Sequence, residues 1–247
     1  MDLSVVILTF NEERHVAETI ASARQVAEEI IVVDSGSTDK TVEMARAAGA
    51  KVFFRAWDGD FAAQRNFGTE QATADFVFHL DADERISPEL AASVKQAAAG
   101  HEQKIFAFYR KNLVFGRLCQ YGEMKPDIVK RLYPRAGAQW EGKVHENLRG
   151  SLPTAMCKGA LYHRTYEDWE LFLNKVNKYT TIWAEAAKGK GKKTSLAAAA
   201  GHGFFAFFKG FVIKRGFLGG FPILVTCCMH AFYTMLKYLK LFQIQDK

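Results

Sequence analysis

Leu3–Thr9 is an unbroken run of β-branched and aliphatic residues, the pattern of a strand buried on both faces. Glu12–Ala23 then takes helical spacing, with Val16, Ile20 and Ala23 on one face. Glu29–Val33 predicts a second buried strand. Ser37-Thr38-Asp39 offers caps for a helix over Thr41–Ala48, which Gly49 stops. Lys51–Phe54 reads as strand, Phe61–Thr73 as helix, Phe76–Leu80 as strand, Pro88–Ala98 as helix with Pro in its first turn, and Ile105–Tyr109 as a fifth strand. This alternation predicts a parallel sheet with helices on both faces, whose ligands sit beyond the carboxyl ends of the strands. Asn112–Leu161 carries mixed turn signals and short apolar pieces, and reads as hairpins and loops. From Tyr166 the helical period returns, with Trp169, Phe172, Leu173, Val176, Tyr179 and Trp183 on one face. A basic Gly-rich linker, Lys188–Lys193, precedes two more helical segments, Leu196–Lys214 and Leu218–Phe242.

Composition narrows the class. With 247 residues, 49% apolar and 13% aromatic, the chain carries too much burial for a disordered protein. Four cysteines without paired spacing exclude a disulfide scaffold and a zinc ribbon, and suit free thiols in a reducing compartment. The net charge of +6 is unevenly placed: the chain from Ala186 onward carries +9, and residues 1–185 carry −3. An acidic body with a basic, aromatic tail points to an anionic partner surface. The N-terminal residues have neither the basic region nor the cleavage site of a signal peptide. Phe217–Leu236 is broken by Gly219, Gly220, Pro222, Thr226, His230 and Thr234, which is poor for a spanning helix. Helical spacing puts Leu218, Phe221, Val225, Cys228, Phe232, Met235, Leu239 and Phe242 on a broad apolar face, opposite a stripe of Thr226, His230, Thr234 and Lys237. That pattern favours helices lying in an anionic membrane interface. Packing on the body or on another subunit, and spanning, are the alternatives. The acidic body argues against nucleic acid.

Three clusters follow predicted strands: Thr9-Phe10-Asn11-Glu12, Asp34-Ser35-Gly36-Ser37-Thr38-Asp39, and Asp81-Ala82-Asp83-Glu84. Asp39 suits a helix cap as well as a site. Asp81 and Asp83, two apart after a buried strand, repel one another unless a cation is near. Mg²⁺ or Mn²⁺, held by one or two carboxylates and substrate phosphates, is the fitting ion. No GxGxxG and no Gly-Lys-Ser/Thr is present, so dinucleotide and P-loop sites are excluded. What remains is a nucleoside diphosphate held through a metal on an Asp-x-Asp pair.

The ordered set Val5–Glu12, Val32–Asp39, Gln64-Arg65-Asn66 and Leu80–Glu84 resembles family 2 inverting glycosyltransferases of the GT-A fold. Trp140–Glu146, Leu161-Tyr162-His163, the Lys175–Tyr179 helix and Gly216–Gly220 are similar to the branch of bacterial lipopolysaccharide-core β-1,4-glucosyltransferases. Gly219 stands where that branch usually has Asp. The resemblance implies an α/β, Rossmann-like GT-A catalytic domain over 1–165 and a helical, basic, membrane-associating extension over 166–247. It implies transfer of a sugar, glucose in that branch, from a UDP-sugar to a lipid-linked acceptor, the inner-core heptose of lipid A–core. A polyprenyl phosphate or another surface-polysaccharide intermediate is the alternative acceptor, and a non-catalytic sugar-nucleotide-binding protein the alternative class. By the same resemblance Asp34 reads uracil, and Thr9, Phe10 and Glu12 line the nucleoside pocket. Arg65 lies near the diphosphate or serves a surface ion pair. Asp81 lies near the ribose or the metal, and Asp83 is the main ligand of Mg²⁺ or Mn²⁺. Glu146 is the favoured general base, with Asp127 and Glu141 as rivals. His145 is a metal or diphosphate ligand or a structural histidine, His163 is structural, and Trp140 stacks on a sugar or fills a core. The implied location is peripheral, on the cytoplasmic face of a bacterial inner membrane, and a homo-oligomer is left open.

Overall fold

The computed structural model describes residues 3–143 and 146–246, and of Leu171 only the backbone. The chain divides into two compact units, Met1–Arg110 with Asp127–His163, and Lys111–Pro126 with Arg164–Lys247. The segment 111–126, grouped by sequence with the catalytic body, lies in the second unit.

The strands are β1 (Leu3–Thr9), β2 (Glu29–Asp34), β3 (Lys51–Phe54), β4 (Phe76–Asp81), β5 (Glu84–Ile86), β6 (Ile105–Val114), β7 (Arg117–Leu118), β8 (Asp127–Pro134), β9 (Gln139–Glu141), β10 (Asn147–Arg149) and β11 (Thr154–Tyr166). The helices are α1 (Val16–Ala23), α2 (Thr41–Ala47), α3 (Phe61–Glu70), α4 (Pro88–Ala99), α5 (Trp169–Gly189), α6 (Leu196–Phe208) and α7 (Gly220–Ile244). The main sheet runs β3-β2-β1-β4-β8-β6-β11-β5, with β7 on β6, and β9 and β10 form a separate pair. β3, β2, β1 and β4 are parallel, as their continuous apolar runs predict. The chain leaves β1 toward β2 and β3 on one side and returns to β4 on the other. The strand order therefore reverses between β1 and β4, where open sheets of this kind form a ligand crevice.

Two expectations change. The fifth predicted strand does not extend the parallel run, because β8 inserts antiparallel to both β4 and β6. The first helix begins at Val16, not Glu12. Asn11 takes φ +55, and the backbone N–H groups of Asn11, Glu12 and Glu13 donate to Ser37, Thr41 and Asp39. Residues 11–13 thus bind the neighbouring loop instead of starting a helix.

One face of the sheet buries Leu3, Val5, Ile7, Phe76, Phe78, Leu80, Leu90 and Phe108. The other buries Val6, Ile31, Val33, Val77 and Tyr133 under α3. Gly68 permits that approach: a Cβ there would lie 2.4 Å from Val6 Cγ1. The close packing carries Arg65, three residues earlier on α3, into the sheet edge.

In the second unit α6 and α7 pack so tightly that a Cβ on Gly203 would lie 2.9 Å from Met235 Cβ. Phe172 and Val176 of α5 meet Met229 of α7, and Ala184 and Ala187 meet Leu241. Among the described residues all four cysteines are free.

Candidate active site

Loops after β1, β2 and β4 meet at the reversal point, where Leu8 pairs with Asp81 and Thr9 with Asp34. Asp34 is buried, and its carboxylate organises the β2 loop. It accepts from Gly36 N and Ser37 N at 2.9 Å each, from Ser37 Oγ at 2.5 Å and from Thr9 Oγ1 at 3.1 Å. Gly36 has φ +102, a conformation open to glycine. Asn11 Oδ1 accepts from Thr38 N at 2.8 Å and ties the first loop to the second. Phe10 is 52% exposed beside them, and Glu12 is half-buried. Asp39 accepts from Thr41 N, Thr41 Oγ1 and Glu13 N. Slight burial opposes its ionisation, but these donors lower its pKa. Asp39 thus ties the loop after β1 to the start of α2, whose N-cap position is Lys40 with no side-chain cap bond, so the expected cap role is not what it serves.

Asp81 is held by two buried arginines. Arg131 of β8 binds it bidentately, at 3.1 and 2.7 Å, and Arg65 Nη2 donates to it at 2.7 Å. Burial pushes the Asp81 carboxyl up, and the Arg131 and Arg65 charges outweigh this and hold it well below the usual range. Arg65 also donates from Nε and Nη2 to Glu146, at 3.2 and 3.1 Å. Both guanidiniums lie against Trp140, at 4.8 and 5.8 Å from its ring centroid. Trp140 is only 5% exposed, so it acts as a buried platform for these arginines and has no open face for a sugar. Its indole N–H donates to Tyr133 Oη at 3.0 Å, and Tyr133, Thr69 and His79 close a buried polar triangle with 3.0 Å sides. Asn66 brackets the Trp140 backbone through both N–H and C=O. Burial first, then the two arginine charges, keep His79 well below its usual pKa and neutral.

Behind Asp81 lies Glu84, fully buried, whose carboxylate accepts from Asp81 N at 3.0 Å. Burial and the Asp81 charge push its pKa up. Asp127 is engaged by Arg110 through a bidentate pair at 3.1 and 2.7 Å. Glu141 is exposed on β9. His163 Nε2 is 3.3 Å from Asp83 Oδ2. Burial lowers its pKa, and the Asp83 bond more than offsets this. His145 lies outside the described residues. Arg131, Arg110 and the bonding of His79 and Tyr133 to Trp140 were not singled out from sequence, and Glu84 was read only as the end of the Asp81–Glu84 cluster. Period-2 counting along β8 does not find Arg131, because the pairing with β6 slips there, from Leu132 opposite Phe106 to Lys130 opposite Ala107, and Val129 and Tyr133 pack in different core clusters.

A divalent ion shared with substrate phosphates needs one or two protein carboxylates. Asp83, at the end of the β4 turn with 20% of its side chain exposed, fits that requirement. Asp81 in this arrangement does not, since both of its oxygens serve arginines. Among the described residues no three His, Cys, Asp or Glu side chains form a protein-only metal cage.

The family model for glycosyl transferase family 2 matches residues 4–168. An uncharacterized glycosyltransferase of Rickettsia typhi is 31% identical over 99% of this chain and 88% of its own length. The lipopolysaccharide core biosynthesis glycosyltransferase LpsC of Rhizobium meliloti is 28% identical over 96% of this chain and 92% of its own. Among solved structures, glucosyl-3-phosphoglycerate synthase from Mycobacterium tuberculosis, with Mn²⁺, UDP and glucosyl-3-phosphoglycerate, aligns over 46% of this chain and 44% of its own. The identity is 25% and the TM-score 0.37.

Proposed function

Because the chain belongs to glycosyl transferase family 2, and its sheet is the GT-A architecture of that family, we propose that it moves a sugar from a UDP-sugar to a lipid-linked saccharide with inversion. The donor sugar is glucose and the acceptor an inner-core heptose of lipopolysaccharide, at the cytoplasmic face of a bacterial inner membrane. The likeness to LpsC over nearly the whole of both chains supports that acceptor class. The observation that carries the reading is the meeting of Thr9, Asp34 and Asp81–Asp83 at the carboxyl ends of β1, β2 and β4, where the strand order reverses.

In this reading Asp34, whose two oxygens hold the Thr9, Gly36 and Ser37 donors in the free chain, gives up one of these bonds to accept the imide N–H of uracil, which cytosine lacks, and Phe10 covers the base. Asp83 holds Mg²⁺ or Mn²⁺ together with the donor diphosphate. When bound, the ion stabilises the charge that develops on departing UDP. Asp81 fixes Arg65 and Arg131, and Trp140 supports both, which leaves Arg65 Nη1 without a hydrogen-bond partner among the described residues and available to the diphosphate. Glu146, oriented by Arg65, takes the proton of the acceptor hydroxyl as it attacks the anomeric carbon from the face opposite UDP. Asp127 is less suited to that role because Arg110 occupies both of its oxygens.

The test is UDP release from a panel of UDP-sugars, with Mn²⁺ or EDTA and with truncated lipopolysaccharide or polyprenyl phosphate as acceptor. Metal-dependent release from UDP-glucose, raised by the core acceptor and lost in Asp83→Ala, is the expected result. Release with polyprenyl phosphate alone would move the acceptor, and none with any donor would overturn the enzyme reading.

A further inference from the structure

In the second unit α6 is apolar nearly all round, with His202 its one polar side chain, and α7 has its polar stripe turned inward. Thr226, His230 and Tyr233 line a cavity of about 110 Å³ with Met124, Tyr166 and Phe172. Lys237 lies 4.9 Å from the Trp183 ring, and Lys240 donates to Asn177 and Thr181 of α5 at 2.7–2.8 Å. The opposite face is apolar and open. Phe221 is 76% exposed, and Cys228, Phe232 and Phe242 follow it along α7. On α6, Ala199, Gly203 and Ala206 are buried, which turns Phe204 (72% exposed), Phe205 and Phe208 outward. Val212, Ile213, Phe217 and Leu218 continue the patch across the connection. A soluble surface rarely leaves so large an apolar area uncovered.

The charge around this face is predominantly positive. From Ala186 to Asp246 the chain has nine Lys or Arg and one acid, Asp246, which pairs with Lys193 at 3.6 Å. Lys188, Lys190, Lys192 and Lys193 are exposed at one end of the helix pair, and Lys209 and Arg215 at the other. A second copy of this chain on the same face would set cations against cations in either direction, since both ends are basic. Anionic headgroups match both ends at once.

By length and composition Leu196–Ile213 and Gly216–Ile244 would suffice to cross a membrane. The packing opposes it. α5 lines α7 from Met229 to Leu241, so a spanning α7 would draw α5 into hydrocarbon with Lys175, Lys178, Glu185 and Lys188, all exposed on its far side. We infer that the outward face of the α6–α7 pair is a docking surface for an anionic lipid bilayer, and that the two helices lie flat in one leaflet with their basic ends at headgroup level. This deepens the membrane partner of the proposed function and rests on that reading for lipid as the partner, but not on the transfer reaction.

The test is flotation of the purified full chain with phosphatidylcholine vesicles, with and without phosphatidylglycerol. Binding is expected to the anionic vesicles, to weaken with salt and to be stripped by alkaline carbonate. Vesicles should shield Cys228 from a water-soluble maleimide and leave the labelling of Cys157, on β11, unchanged. The F204S/F221S variant should lose about tenfold or more in partitioning, and K209E should lose it selectively for anionic vesicles. Metal-dependent UDP release without lipid should stay at the wild-type level in both, which shows that they fold. Absence of flotation, retention through carbonate, or a dimer that shields Cys228 without vesicles would each overturn the inference. Failed flotation with UDP release intact removes the docking surface alone, and failed UDP release with flotation intact removes the catalytic reading alone.

Discussion

Two guanidiniums reach one carboxylate at the centre of the site, Arg65 and Arg131 on Asp81, and both rest against Trp140. Truncating one member of a buried ion cluster leaves the others uncompensated, so Arg131→Ala should cost about 3 kcal/mol and lower UDP release about a hundredfold or more. Arg131→Lys should recover little, because an ammonium cannot bind both oxygens in a planar fork; thermal unfolding and steady-state UDP release check both. A second residue reports through pH. Glu29 accepts from Lys51, Ser4 and Thr73, and these bonds outweigh its partial burial and bring its pKa from 4.5 to about 2. Its folded pKa is depressed, so its contribution is present above pH 4.5 and is lost as pH falls toward 2. Glu29→Gln should therefore destabilise at pH 7 by about 1 kcal/mol and make little difference at pH 2, as denaturant midpoints at the two pH values would show. Sequence reading reached Asp34, Asp81 and Asp83 because each follows a strand. It missed Arg131 because a lone arginine in an alternating strand looks like a surface cation, and its partner lies 50 positions away.

Strands β1, β2 and β4 were legible because strands buried on both faces read as continuous apolar runs, and the edge strand β3 by its short Val-Phe-Phe run, whereas β8, with Lys130 and Arg131 inside it, has no such signature. Its insertion between β4 and β6 is a long-range pairing that local period cannot reveal. Nor can local period show that residues 11–13 are drawn into the β2 loop, which delays α1. The helix α3 depends on one small residue. A methyl at Gly68 collides with Val6 and Val33 of the sheet, so Gly68→Ala should destabilise by about 1–3 kcal/mol. It should also weaken donor binding, because the helix that tilts away carries Arg65. A raised KM for the UDP-sugar alongside the lowered unfolding midpoint would check this, and an unchanged KM would separate the packing from the site.

Over the whole chain, the −3 of residues 1–185 and the +9 beyond them follow the difference between an acidic donor site and a basic apolar surface. The thiols fit a reducing setting. Cys119 and Cys227 are buried, and burial pushes Cys227 up to about 11. A maleimide should label Cys228 first in the native chain and reach Cys119 and Cys227 only on unfolding, which intact-mass spectrometry with and without denaturant would show. The inward packing of α7 has a practical consequence. Since α7 is held by the seam at Gly203 and Met235, by Phe172 and Val176 at Met229, and by Lys237 over Trp183, polar residues can replace Phe204, Phe205, Phe221 and Phe232 without disturbing those contacts. Those four substitutions should give a form of the chain that stays in solution without detergent and is suited to crystallisation.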